Sequence, residues 1–103
     1  AAEELNARLQ IYGALLGVSW KSSRLSDART RWGMCSGKNS INLSWRLIFC
    51  PPEAIDYVVA HELCHIKHKN HGKVFYAELE RIYPERRRAE RWLKENSMLI
   101  NYL

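Results

Sequence analysis

Residues 61–65 read His61-Glu62-Leu63-Cys64-His65, and no other stretch restricts the chain as much. An α-helix advances by about 100° per residue, so with His61 at zero, His65 falls near ~40° and Glu62 near ~100°. The two imidazoles then stand one turn apart on one face, where both can reach one metal ion at about 2.0–2.1 Å from each nitrogen. Glu62 sits beside them, placed to touch a water activated by that ion rather than the ion itself. Ile55, Val59, Leu63 and Ile66 fall at roughly 120–200°, opposite the pair. Only Glu53, Asp56, Ala60 and Lys67 are then left for solvent. Burying two histidines and a glutamate without partners costs roughly a few kcal/mol each, and a bound cation answers all three. An ordinary helix with two satisfied histidines is the less favoured reading.

A catalytic site of this kind needs a third protein ligand. His68 looks aligned on the helical wheel, but it lies about 10 Å along the axis from His61, too far to share an ion that also takes His65. The ligand must come from beyond the helix. His71 is preferred because it follows a break expected at Asn70 and can fold back; Glu78, on the next helix, is the alternative. His68 reads as a surface or supporting histidine.

The surrounding pattern is α+β. Leu5, Leu9, Tyr12 and Leu16 recur at helical spacing, giving a helix over 3–15 that Gly17 ends. Val18–Arg24 and Arg29–Cys35 read as strands, Ser36–Ser40 as a turn, and the alternation from Ile41 to Leu47 as a third strand of a small antiparallel sheet. Pro51-Pro52 stops that strand and starts the helix carrying the histidines, which is expected to run to about His68. Asn70 is the expected cap of a second helix, with His71, Phe75, Leu79 and Ile82 on one face, and Pro84 opens a third.

With 103 residues, 47% hydrophobic and 26% charged, the chain is long enough for one domain, 1–103, and too apolar for disorder as its main state. No apolar run is long enough to cross a membrane, and no charged-then-apolar leader opens the chain. It also lacks an initiating Met, as a processed product or excised domain would. Cys35, Cys50 and Cys64 cannot all pair within one chain, which favours a reducing compartment and a cytoplasmic location. The net charge of +5 is concentrated before residue 52, where seven basic groups face three acidic ones. That balance permits a polyanionic partner without requiring one.

The sequence resembles the YgjP-like metallopeptidase domain, a family close to the SprT-like proteins and other zincins. The resemblance rests on Thr30-Arg31-Trp32-Gly33-Met34-Cys35-Ser36 and on Ile41-Asn42-Leu43-Ser44-Trp45-Arg46-Leu47-Ile48. It continues through Pro51-Pro52, Asp56-Tyr57-Val58-Val59-Ala60 with the HExxH pentapeptide, Asn70-His71-Gly72 with Phe75, and Trp92-Leu93. It covers about residues 15–95 in one order and spacing. Met34 and Gly72 stand where the family often has Ser, and neither is a ligand position. The resemblance implies a compact zincin-like fold: an N-terminal helix, the small sheet, then three helices with HExxH on the first. It also implies Zn2+ held by His61, His65 and His71, with Glu62 as catalytic base.

The expected activity is metal-assisted hydrolysis of a peptide bond in a peptide or protein substrate, with Glu62 taking a proton from water and passing it to the leaving amine. The strand at 41–47 is expected along the cleft. Tyr57, His68 and Arg46 are weak candidates for stabilising the oxyanion. Trp32 reads as core, Gly33 as a site for a bulge, and Cys35 as an inert thiol rather than an inhibitory one. Three other classes compete. One is a nucleotide phosphoanhydride hydrolase using the same metal. Another is a nucleic-acid-associated module like the SprT neighbours, using Arg24, Arg29, Arg31 and Lys38. The charged groups read first as protection of a sheet edge, so nucleic acid is not the favoured partner. The last, a closed structural zinc site, leaves Glu62 without a role.

Overall fold

A computed structural model of the chain describes residues 2–26, 32–36 and 39–96. In chain order its elements are α1 (Ala2–Leu16), β1 (Ser22–Ser26), β2 (Gly33–Cys35), β3 (Ser40–Ser44), a 3₁₀ helix (Trp45–Phe49), α2 (Pro52–Lys67), α3 (Lys73–Ile82) and α4 (Arg86–Glu95). This is the α+β order expected from the sequence. None of the described helices is long and apolar enough to cross a membrane.

α1 buries Leu5, Leu9 and Leu16, the stripe its periodicity predicts. It stops at Gly17, whose φ of 69° is left-handed backbone that suits glycine. The sheet has the order β1-β3-β2. β2 and β3 are antiparallel, pairing Gly33 with Leu43 and Cys35 with Ile41. β1 runs parallel to β3, from Ser22 opposite Ser40 to Ser26 opposite Ser44, so the sheet is mixed rather than antiparallel. The strand order follows from β3. Ile41 and Leu43 are its buried residues, at 1% and 2% exposure, and a strand that apolar takes the centre with a partner on each edge. The short, polar β1 fills the remaining edge. It also starts later than the Val18–Arg24 expected. Of the strand expected over Arg29–Cys35, only Gly33–Cys35 is extended pairing; Arg29, Thr30 and Arg31 lie outside the described residues.

The alternation over 41–47 continues past the end of the strand. Ser44 accepts a hydrogen bond at its side-chain oxygen from the Arg46 backbone N–H, 3.3 Å away, and this cap turns the chain into the 3₁₀ helix. Arg46, expected to face out, is therefore buried, its guanidinium 4.6 Å from the centre of the Trp45 ring. Trp45 is only half-buried.

α2 is the centre of the molecule. α1, α3, α4, β2 and β3 all pack on it. Ala60, read from the wheel as a solvent position, is fully buried for that reason. Asp56 and Lys67 do lie on its outer side and serve as ties: Asp56 accepts from Arg8 of α1 at 2.8 Å, and Lys67 reaches both the Leu16 carbonyl (3.3 Å) and Glu78 of α3 (2.8 Å). α3 begins at Lys73 with Gly72, not Asn70, at its cap position. α4 begins at Arg86 rather than Pro84, because the Glu85 carbonyl accepts the first bonds, from the N–H groups of Arg88 and Ala89.

Candidate metal centre

The pentapeptide lies in the last two turns of α2, held from below by fully buried Leu63 and Cys64. The helix ends at Lys67. The chain then turns back over 68–71 before α3 starts, and this reversal carries His71 over the histidine face. The ring centres of His61 and His65 are 5.0 Å apart, His61 and His71 5.2 Å, and His65 and His71 4.4 Å. One nitrogen from each comes within 4.8 Å of the others, close enough for one metal ion to be held between them. His61 and His65 are half-buried and His71 is exposed, so the group opens on one side. Phe75, fully buried in the first turn of α3, supports all three rings at 4.7–5.2 Å.

The tautomers follow from the hydrogen bonds. His65 donates from Nδ1 to the His68 backbone carbonyl at 3.2 Å. Its Nε2 lone pair is then free, as a metal ligand requires. His61 Nδ1 faces Glu62 Oε2 at 3.3 Å, which leaves its Nε2 free in the same way. Burial pushes the His65 pKa below its usual value, helped by neighbouring His61, so the ring is neutral near pH 7. A neutral imidazole with Nε2 available is the kind of donor that a borderline ion such as zinc accepts.

Glu62 is buried, with 10% of its side chain exposed, at the wall of a cleft of about 310 Å³. His61, His65 and His71 line one side of that cleft; Gly33, Met34 and Cys35 of β2 line the other, and Lys69 closes it. The strand along the cleft is therefore β2, and β3 lies behind it. Gly33 makes no bulge; it is a point of close approach. A Cβ there would stand 3.1 Å from Glu62 Cγ, 3.1 Å from Leu43 Cδ2 and 3.1 Å from Val58 Cγ1.

The other sequence candidates fall elsewhere. Glu78 is bound by Lys67 at 2.8 Å and Arg81 at 2.7 Å, outside the histidine group, and these hydrogen bonds hold its carboxyl down at about 2. The His68 side chain lies 4.0 Å from Glu78. What His68 gives the site is its carbonyl, a backbone group that no side-chain pattern reveals. Tyr57 donates to Glu90 at 3.3 Å, Arg46 is buried, and neither they nor His68 line the cleft. Trp32 is half-buried against the core, as expected. Cys50 and Cys64 are buried free thiols, each pushed up to about 12 by burial, and Cys35 is half-buried with its pKa also raised. Arg24 is exposed on β1, while Arg29, Arg31 and Lys38 lie outside the described residues.

Comparison with known proteins agrees with this geometry. The sequence profile of the YgjP-like metallopeptidase domain matches residues 1–96. The chain belongs to that family. Among solved structures, this YgjP-like chain is similar to the metallopeptidase zymogen of Pyrococcus abyssi abylysin. The TM-score is 0.76 at 23% identity, over 88% of this chain and 93% of that one. At that identity the likeness speaks for the fold. No curated protein sequence matches the YgjP-like chain. Family and fold together make it a metallopeptidase domain with a histidine group able to bind a divalent metal.

Proposed function

We propose that the chain is a zinc-dependent peptidase in which His61, His65 and His71 hold the ion and Glu62 is the general base. The observation that carries this reading is the convergence of three imidazole nitrogens within 4.8 Å beside a buried carboxylate, at the wall of an open cleft. When bound, the ion supplies Lewis-acid polarisation of a carbonyl and brings the pKa of a water down to about 7. The chain supplies the rest. His65, fixed by the His68 carbonyl, and His61, fixed by Glu62, present Nε2 with no tautomer to rearrange. Glu62 Oε2 stays on His61, and Oε1 is the oxygen that accepts the proton of the attacking water. The same oxygen returns that proton to the departing amine. β2 forms the opposite wall and confines the peptide against the histidines. Cys35, Cys50 and Cys64 are all free, which supports a reducing, cytoplasmic setting.

The test is metal content by mass spectrometry, together with casein cleavage. The native chain is expected to hold one zinc per chain, His68→Ala to keep it, and His71→Ala to lose it. Glu62→Gln is expected to keep zinc and lose turnover. Zinc lost with His68 instead of His71, or cleavage retained by Glu62→Gln, overturns the assignment.

A further inference from the structure

We propose that Lys69 selects the substrate, favouring peptides that carry a carboxylate next to the bond to be cut; this rests on the peptidase reading above. The β2 wall of the cleft, Gly33 to Cys35, brings no formal charge. Glu62 is engaged with His61 and committed to water. Among the described residues, Lys69 is the only lysine or arginine on the cleft lining. Its neighbour Lys67 is neutralised by Glu78 at 2.8 Å, and Arg81 by the same carboxylate at 2.7 Å. Lys69 has no such partner among the described residues. Its ammonium donates to the neutral Asn39 Oδ1 at 2.5 Å.

That bond fixes where the charge sits. Asn39 is held in the turn between β2 and β3 at φ 62°, its N–H on the Ser36 carbonyl (3.0 Å) and its own carbonyl accepting from Lys21 N–H (2.9 Å). Lys69 therefore spans from the reversal after α2 to the tip of the β2–β3 hairpin, across one end of the cleft. An ammonium has three donors, and Asn39 takes one. The others remain for a ligand, on a side chain already partly ordered, so less entropy is lost when a ligand binds. A volume of about 310 Å³ is at the low end for ligand sites. A residue bound at the Lys69 end is thus within a position or two of one bound at Glu62. Half-buried Cys35 lines the same cleft, and the charges of Lys69 and Glu62 both act on it. Glu62 repels a carboxylate at its own end, so an acidic group is directed to Lys69. That group is an Asp or Glu side chain or a terminal carboxylate.

The zinc-loaded chain should be assayed on matched peptides that differ only in Glu against Gln near the cut, each as free acid and as C-terminal amide. Wild type should favour the acidic member by about fivefold to tenfold in kcat/KM. Lys69→Met should abolish the preference, and Lys69→Glu should reverse it toward Lys-containing peptides. A preference that survives amidation assigns the side chain as the recognised carboxylate; one lost on amidation assigns the terminus. No acidic preference, or one unchanged in both variants, overturns the role of Lys69 and leaves peptide hydrolysis standing. Absence of all cleavage overturns the peptidase reading instead. In that case calorimetry on the zinc-loaded Glu62→Gln chain still decides for Lys69, because equal affinity for acidic and amidated neutral peptides overturns it.

Discussion

Replacing Gly33 with alanine puts a methyl group into a space already bounded on three sides. The new Cβ would meet Glu62 Cγ, Leu43 Cδ2 and Val58 Cγ1, each at 3.1 Å. Carbon atoms settle at about 3.5–4.0 Å, so the neighbours must give way by roughly half an ångström. Leu43 and Val58 are 2% and 4% exposed and have no space to enter. Glu62 lies at the cleft wall and is the group that moves. Overpacking a tight site costs about 1–3 kcal/mol, and with one neighbour able to yield the expected cost is about 1 kcal/mol. In a domain of this size that lowers Tm by roughly 4–8 °C. A misplacement of about 1 Å near the reacting atoms can cost about 100-fold, so half that shift should slow turnover by about tenfold. Zinc content should change less than the rate, since none of the three atoms nearest the new methyl group belongs to a histidine. The assay pairs thermal unfolding followed by circular dichroism with zinc content and initial rates of casein cleavage. A Gly33→Ala chain with wild-type Tm and wild-type rate would refute the idea that the missing side chain sets the position of Glu62.

Two further outcomes follow from titration. Hydrogen bonds from Lys67 and Arg81 lower the Glu78 carboxyl from an ordinary value of 4.5 to about 2. Its contribution to stability is therefore complete above about pH 4.5 and is lost as the pH falls from there toward 2. Acid unfolding of Glu78→Gln should show a shallower fall across that interval, and an identical curve would count against the ion-pair cluster. Thiol titration of the native chain at pH 8 should find at most one reactive group, Cys35, because burial keeps Cys50 and Cys64 protonated, with pKa values about 12. Denaturation should release three; three rapid reactions in the native chain would contradict the burial of Cys50 and Cys64.

The part of the molecule legible in the sequence is the part governed by one helix. Pro51-Pro52 marks the start of α2, and the 3.6-residue period alone orients His61, Glu62 and His65. His71 could be argued because an ion admits only ligands within reach. The central place of β3 depends on which strand is most apolar, and the parallel sense of β1 is set by long-range packing, neither of which local alternation encodes. The turn at Ser44 was hidden for the opposite reason. One side-chain hydrogen bond redirects the backbone while the apolar alternation continues through Trp45 and Leu47. Gly33 read as a bulge because glycine has several uses in a strand, and only the packed helix reveals that the use here is proximity.

The bond from His65 to the His68 carbonyl has a consequence for how the site comes apart. The last carbonyls of a helix need donor partners from outside the helical ladder, commonly supplied where a glycine or asparagine reverses the chain. Here His68 follows the last turn with its N–H on the Cys64 carbonyl at 2.9 Å, and an imidazole supplies the partner for its oxygen. The stop signal of α2 and the orientation of a candidate ligand are thus one interaction. Whatever turns that ring also releases the reversal that delivers His71, so the centre is expected to assemble and dissolve as a unit. Amide exchange at 68–72 would report this as faster opening in any variant that removes the ring at position 65.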